Sequence, residues 1–417
     1  MNITIEKPRL SIPASLIVDD PAPCINPFYY FRLQVDREGW QRHEPCIPLD
    51  FLRQFAEVCR ARGIRGKFSV LPYPAGLGSI LEGWEGCDRA ELAAWIDLAR
   101  AEIAPRFDIT PEILTHTLAL DLRTRALLPE PEHEWMAGRG RAELREYFGA
   151  ALAILKAAGF APAGITQPCS FGGSRADYAE AALEAMRAIG GPPVTYYFID
   201  GCFDPPPLPP PEVVLLDRAR GEAVVSIIAY CNDPFWPTQH VTDARAEQVA
   251  DALIDADGRA GRLADLAAAG EWLLFVCHWQ TLYSDGSREG LKALDLAAER
   301  LARAHGPRLL WLTLGEVARY RAAAESCRID ARPTEDGWAI EIDSAFDCPD
   351  FTIGVPLAEP VGRVVHIAEA AARPLAPDLA RDTLLGSNAW RPAGDRLSAC
   401  FDLRRGRQSL AITRAVV

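Results

Sequence analysis

Along residues 14–325, short apolar runs alternate with longer stretches whose apolar residues recur every three or four positions. The first run, Ser15-Leu16-Ile17-Val18-Asp19-Asp20-Pro21, is β-branched and apolar, ends in two adjacent carboxylates and is stopped by proline. It reads as a buried strand delivering charge to a sheet edge. Successive strand side chains point to opposite sides, so Asp19 and Asp20 can take different roles. Asp-Asp-Pro is also ordinary turn chemistry.

A loop over 21–48 follows, carrying Phe28, Tyr29, Tyr30, Phe31 and His43. A connection of that length is functional or disordered, and its aromatics either stack on a sugar ring or pack down as a lid. Phe51, Leu52, Phe55, Val58 and Cys59 give the spacing of an amphipathic helix over 50–62, closed by Gly63. The next strand, 65–71, is stopped by Pro72-Tyr73-Pro74, and Asp88 with Glu91 opens a helix running to about 104. Further strands are expected at 112–116, ending in His116, and at 163–166, running into Gln167-Pro168-Cys169. Others are expected at 194–199, 213–216, 223–230, 271–277 and 309–312, the fourth of these leading into His278-Trp279-Gln280. Helices are expected over 141–158, 176–189, 243–269 with breaks near Gly258 and Gly261, 288–304 and 314–325.

Strand then helix, repeated, predicts a parallel sheet closed into a (β/α) barrel, with chemistry at the rim formed by the strand C-terminal ends. Asp19, Asp20, His116, Gln167, Asp233 and His278 would arrive there. Beyond 326 the segments 338–342, 351–355, 363–367 and 398–403 are short, alternating and separated by Gly, Pro and Asp. They predict an antiparallel β module. The division is a barrel domain over 1–325 and a small β-rich accessory domain over 326–417, with the boundary near 324–330.

With 417 residues and 49% apolar content the chain can bury a large core, and its formal charge of −13 argues against nucleic acid or an anionic membrane as partner. A neutral or cationic small molecule or oligosaccharide suits it better. The eleven cysteines are scattered without a CxxC pair, the usage of reduced thiols in a cytosolic protein. The segment Met1-Asn2-Ile3-Thr4-Ile5-Glu6-Lys7 lacks the basic then apolar pattern of an export signal, and the run 272–277 is too short to span a bilayer. A cytoplasmic protein is expected.

A strand ending in Asp19-Asp20, a Lys67-Phe68-Ser69 strand, a strand ending in His116, one ending in Gln167-Pro168-Cys169 and a late strand ending in His278 follow one another in an order that resembles the polysaccharide deacetylase superfamily, the NodB-like carbohydrate esterases. The resemblance spans roughly residues 14–320 by order of elements. It implies a distorted (β/α) barrel holding a divalent metal, usually zinc. By position it makes Asp19 the catalytic base, Asp20 and His116 metal ligands and His278 the general acid. Asp233, in Asn232-Asp233-Pro234-Phe235-Trp236, stands where the family has an Asp and a Trp near the site. The family's second metal histidine, four residues after the first, is here Leu120. His133, flanked by Glu132 and Glu134, is the preferred third ligand, with Asp121 as the other candidate; His133 also reads as a surface histidine beside helix N-terminal acids. The family's Arg before Pro is replaced by Gln167, which cannot supply its charge.

A carboxylate with two imidazoles suits zinc and leaves room for a water, while a separate base and acid handle the protons. The leading expectation is therefore metal-dependent hydrolysis of a C–N bond, as in removing an acetyl group from an amino sugar or related small molecule, with Gln167, Trp236, Trp279 and Tyr73 as substrate contacts. A metal-independent glycoside hydrolase using Asp19 with Asp233 is the alternative on the same barrel. An inactive carbohydrate-binding protein is the third reading.

Overall fold

The computed structural model describes residues 2–35, 43–239, 245–357, 359–369 and 371–415. The segment 36–42 of the aromatic loop and the expected helix start at 243 lie outside them.

The strands before residue 312 are β1 (Thr4–Ile5), β2 (Ile12–Asp19), β3 (Gly66–Val70), β4 (Phe107–Pro111), β5 (Leu118–Leu120), β6 (Leu127–Pro131), β7 (Gly164–Thr166), β8 (Val194–Gly201), β9 (Glu212–Asp217), β10 (Glu222–Ala229), β11 (Leu273–His278) and β12 (Leu309–Trp311). One mostly buried parallel sheet runs β11-β2-β3-β4, with β12 also on β2, and a second, mixed sheet runs β7-β8-β10-β9, its edge strand β9 antiparallel to β10. Strand β2 forms with both faces covered, every residue from Pro13 to Asp19 being buried. The two sheets touch through isolated parallel bridges, Ile109↔Pro162 and Glu112↔Thr166 on one side and Cys231↔Phe275 on the other. The fold is thus mixed α/β with interrupted seams, not the barrel of continuous ladders that the strand and helix alternation predicts. At one seam β7, only three residues long, meets the β4 side through a few backbone hydrogen bonds, among them Ile113 N–H to the Thr166 carbonyl and Ala163 N–H to the Ile109 carbonyl.

Several helices lie where the apolar spacing puts them. These include α2 (Leu49–Arg62) and α3 (Arg89–Leu98), while α1 (Pro27–Gln34) and α4 (Glu132–Ala137) fall where no helix was expected. Gly63, at φ 70°, ends α2, and the Asp88 carboxylate accepts from the N–H groups of Ala90 and Glu91 at the start of α3. Within the expected loop over 21–48, Asn26 caps α1 by accepting from Phe28 N–H. The expected strand at 112–116 lies earlier, at β4, and Glu112 to His116 instead form the loop leaving it, with Ile113 at φ 38° and His116 at φ 61°. Apolar Ile113 and Leu114 mimic a strand because they are buried in a second core under the helices at Arg141–Ala157 and Arg175–Ala188.

After residue 327 the chain forms two antiparallel-rich sheets, and the expected segments fall inside strands at Gly337–Ser344, Cys348–Pro356, Val361–Ala368 and Arg396–Leu403. β1, from the other end of the chain, pairs with Cys348–Pro356. All eleven cysteines are free. Among the described residues no helix is long and apolar enough to cross a membrane.

Candidate active site

The parallel register between β2 and β11 sets Asp19 directly beside His278. Asp19 ends a buried strand and is itself 6% exposed, so its charge needs a partner. Lys67, wholly buried on β3, supplies it: its Nζ donates to Asp19 Oδ1 and, at 2.7 Å, to Ser69 Oγ. Burial pushes the Asp19 carboxyl up to about 6 and the Lys67 ammonium opposes that rise. Lys67 thus brings the positive charge that Gln167 cannot.

Asp20 turns away from β2 at φ 71°, a conformation rare outside glycine. Its N–H donates to Glu112 Oε2 at 2.7 Å. His116 Nε2 lies 2.7 Å from Asp20 Oδ1 and 3.3 Å from Glu112 Oε1. Ligand atoms of Asp20, Glu112 and His116, all buried, fall within 4.8 Å of one another. Burial opposes charge on both partners, yet their mutual attraction wins: Asp20 is held well below the usual carboxylate range and His116 well above the usual imidazole range.

Neither oxygen of Asp20 makes a hydrogen bond of good alignment, and His116 Nδ1 also has none. The amide of Gln280, 1% exposed, lies against Asp20 and helps to hold its carboxyl low. Neither amide atom of Gln280 forms a well-aligned hydrogen bond. Two carboxylates and an imidazole, all buried and with their ligand atoms within 4.8 Å of one another, are a donor set that fits a divalent cation held by Asp20, Glu112 and His116.

The His116 loop is anchored from below. Glu132, the first residue of α4, accepts from the N–H groups of Leu114, Thr115 and His116 and from the Tyr147 hydroxyl. Burial raises its carboxyl, against these donors. Because successive helix residues point about 100° apart, turning Glu132 to the loop turns His133 aside. The His133 side chain is 22% exposed with Glu134 4.0 Å away, and it stays outside the donor group. The structure thus leaves His133, the expected third ligand, apart from Asp20 and His116 and brings Glu112 beside them instead. Asp121, the other candidate, also lies apart from that group, its Oδ1 accepting from Arg123 and Thr124 N–H in a surface turn.

On the opposite wall, His278 Nδ1 lies 2.7 Å from Asp233 Oδ2. Asp233 is fixed by N–H groups of His278 and Phe235 and by the Thr281 hydroxyl. Burial works against the imidazolium, but Asp233 raises His278 to about 9. A cavity of about 250 Å³ lies over these groups, lined by Asp19, Glu112, His116 and His278 together with an aromatic wall of Phe28, Phe31, Phe198, Phe203 and Trp236.

Of the expected substrate contacts, Gln167 and Trp236 line this cavity, with Trp236 edge-on to His278 at 5.2 Å between ring centres. Trp279 does not: the helix that starts immediately after β11 swings it into the core, where its ring centre is 4.6 Å from Phe51 and 5.4 Å from both Phe55 and Phe68. Tyr73 lies away from the cavity wall, half-buried against the second core, its N–H on the Leu114 carbonyl. Sequence reading missed Glu112, Lys67 and Glu132. For Lys67 and Glu112 the available signal was a charged residue beside buried apolar neighbours, which demands a buried partner; Glu132, in Glu130-Pro131-Glu132-His133-Glu134, carried no such signal.

No family model and no curated protein matches the chain. Among solved structures, a mutant CE4 family pseudoenzyme overlaps it at 8% identity and TM-score 0.34, covering 74% of this chain and 67% of its own. A protein provisionally described as a glycoside hydrolase/deacetylase from Parabacteroides distasonis overlaps at 10% identity and TM-score 0.40, covering 82% and 81%. A GH57-type branching enzyme from Pyrococcus horikoshii overlaps at 12% identity and TM-score 0.37, covering 73% and 69%. With TM-scores below 0.5, these overlaps assign neither a family nor an activity to the chain.

Proposed function

We propose that this chain is a metal-dependent hydrolase that cleaves a C–N amide bond, such as the acetyl-amide of an amino sugar or related small molecule, on a distorted barrel of the deacetylase type. The observation that carries the reading is the convergence of Asp20, Glu112 and His116 under a cavity that Asp19 and His278 also line. When bound there, a divalent cation, zinc in the family the sequence resembles, would polarise the amide carbonyl and acidify a water.

The remaining work falls to the chain's own groups. Asp19, oriented through Oδ1 by Lys67, takes the proton of the attacking water. His278, whose Nδ1 is held by Asp233, delivers a proton from Nε2 to the leaving nitrogen. Phe28, Phe31 and Trp236 exclude water and pack against the apolar face of the substrate. Asp233 is a poor second carboxylate for glycoside hydrolysis, because both its oxygens are engaged by Phe235, His278 and Thr281.

The test is turnover of a panel of N-acetylated sugars and small amides by the purified chain, before and after chelator treatment and metal return. Loss of turnover with chelator, recovery with metal and loss in D19N are expected. Turnover indifferent to chelator would move the chain to metal-free glycoside chemistry. Sugar binding that survives D19N with no turnover of any substrate would make it a binding protein.

A further inference from the structure

We propose that the Asp20–Glu112–His116 centre is built for a hard divalent cation of the manganese kind, with Glu112 setting that preference where the sequence resemblance implies a second imidazole. The inference rests on the metal reading above and concerns which ion the chain selects.

The donors are two carboxylates and one imidazole, all within 4.8 Å of one another. Two anionic oxygens neutralise a divalent ion outright, whereas the implied set of one carboxylate and two imidazoles would leave it one positive charge. Carboxylate and carbonyl oxygens suit magnesium, calcium and manganese, and imidazole suits zinc, copper, iron and nickel. The surroundings lean the same way. Cys169 lines the cavity but is not in the donor group, so among the described residues no sulfur joins it.

Glu112 is held for this role. Its Oε2 accepts from Asp20 N–H at 2.7 Å, leaving Oε1, 3.3 Å from His116 Nε2, turned toward the other donors. The backbone bridge Glu112↔Thr166 fixes it at the seam between the two sheets. Zinc outranks manganese in raw affinity at most sites, so the preference is read as a ratio between two ions and between variants.

The experiment uses the full chain stripped with chelator, titrated with Mn2+ by the loss of its free-ion EPR signal and then with Zn2+ in competition. Wild type is expected to take up one Mn2+ per chain. E112H is expected to raise the zinc-over-manganese affinity ratio about tenfold or more, and E112Q, which keeps the shape and the Asp20 contact, to weaken Mn2+ more than Zn2+. Circular dichroism melts confirm that each variant is folded, and E112Q alone decides if E112H is not. A ratio unchanged in the folded variants, or a wild type that takes up only zinc, overturns the manganese assignment and leaves the hydrolase reading standing. A folded wild type that binds neither ion removes both.

Discussion

Lys67 has no solvent exposure and sits in a strand otherwise made of Gly66, Phe68, Ser69 and Val70, so its ammonium must be compensated from within. Removing one member of a buried ion pair strands the other charge, and K67M should cost about 3–5 kcal/mol, measured by urea denaturation. His278 offers a pH test. Its folded pKa of about 9 lies above the ordinary 6.5, so the stabilisation from Asp233 is complete below about pH 6.5 and is lost as pH rises through 9. The basic limb of the pH–rate profile should therefore fall near pH 9 in wild type and move down in D233N, while H278A should lower kcat about 10²- to 10⁴-fold; an unmoved limb in D233N would take the general-acid role from His278. Asp19, Asp20, His116, Asp233 and His278 were legible in sequence because each closes or follows an apolar run. Glu112 and Lys67 were not, since their partners lie 92 and 48 residues away and only the fold says which buried charges meet.

At the scale of elements, the loop from Glu112 to His116 shows where pattern reading slips. Its apolar residues look like a strand, yet its backbone N–H groups are satisfied by a side chain, Glu132, instead of a neighbouring strand. E132A should expose those buried donors and cost about 1–3 kcal/mol for each one left unpaired, seen as a lowered melting temperature together with weaker metal uptake; E132Q, which keeps one acceptor, should recover part of both. The helix after β11 makes the companion point. Trp236 was expected at the substrate from its place in the sequence resemblance and Trp279 from following His278, but Trp279 packs under Phe51, Phe55 and Phe68 while Trp236 lines the cavity. W279A should cost about 3–5 kcal/mol, whereas W236A should spare stability and raise KM. The reverse pattern would put Trp279 back among the substrate contacts.

For the molecule as a whole, the change of pattern that the sequence shows near residue 326 falls where strand pairing turns from mainly parallel to mainly antiparallel. What it did not announce is that the core runs on across the boundary. A single cluster of buried apolar residues takes in Ala14, Leu16 and Phe68 on one side and Phe351, Ile353 and Phe401 on the other. The stitching is specific: Tyr320 donates to the Glu6 carbonyl and accepts from Thr352 N–H, its ring centre is 5.6 Å from that of Phe351, and β1 completes a sheet whose other strands begin at residue 348 or later. Periodicity is local and sees none of these pairings; Tyr320 and Glu6 alone stand 314 residues apart. Cutting the chain at 326 would leave Tyr320 and the β2 side of the cluster facing water and β1 without a partner. We expect the 1–326 fragment to be insoluble or to lack a cooperative melt, and the 417-residue chain to unfold in one transition by calorimetry, with near- and far-ultraviolet circular dichroism coinciding. Two separated transitions in the intact chain, or a 1–326 fragment that melts at the full chain's temperature, would show that the β sheets ride on the α/β part as an independent module.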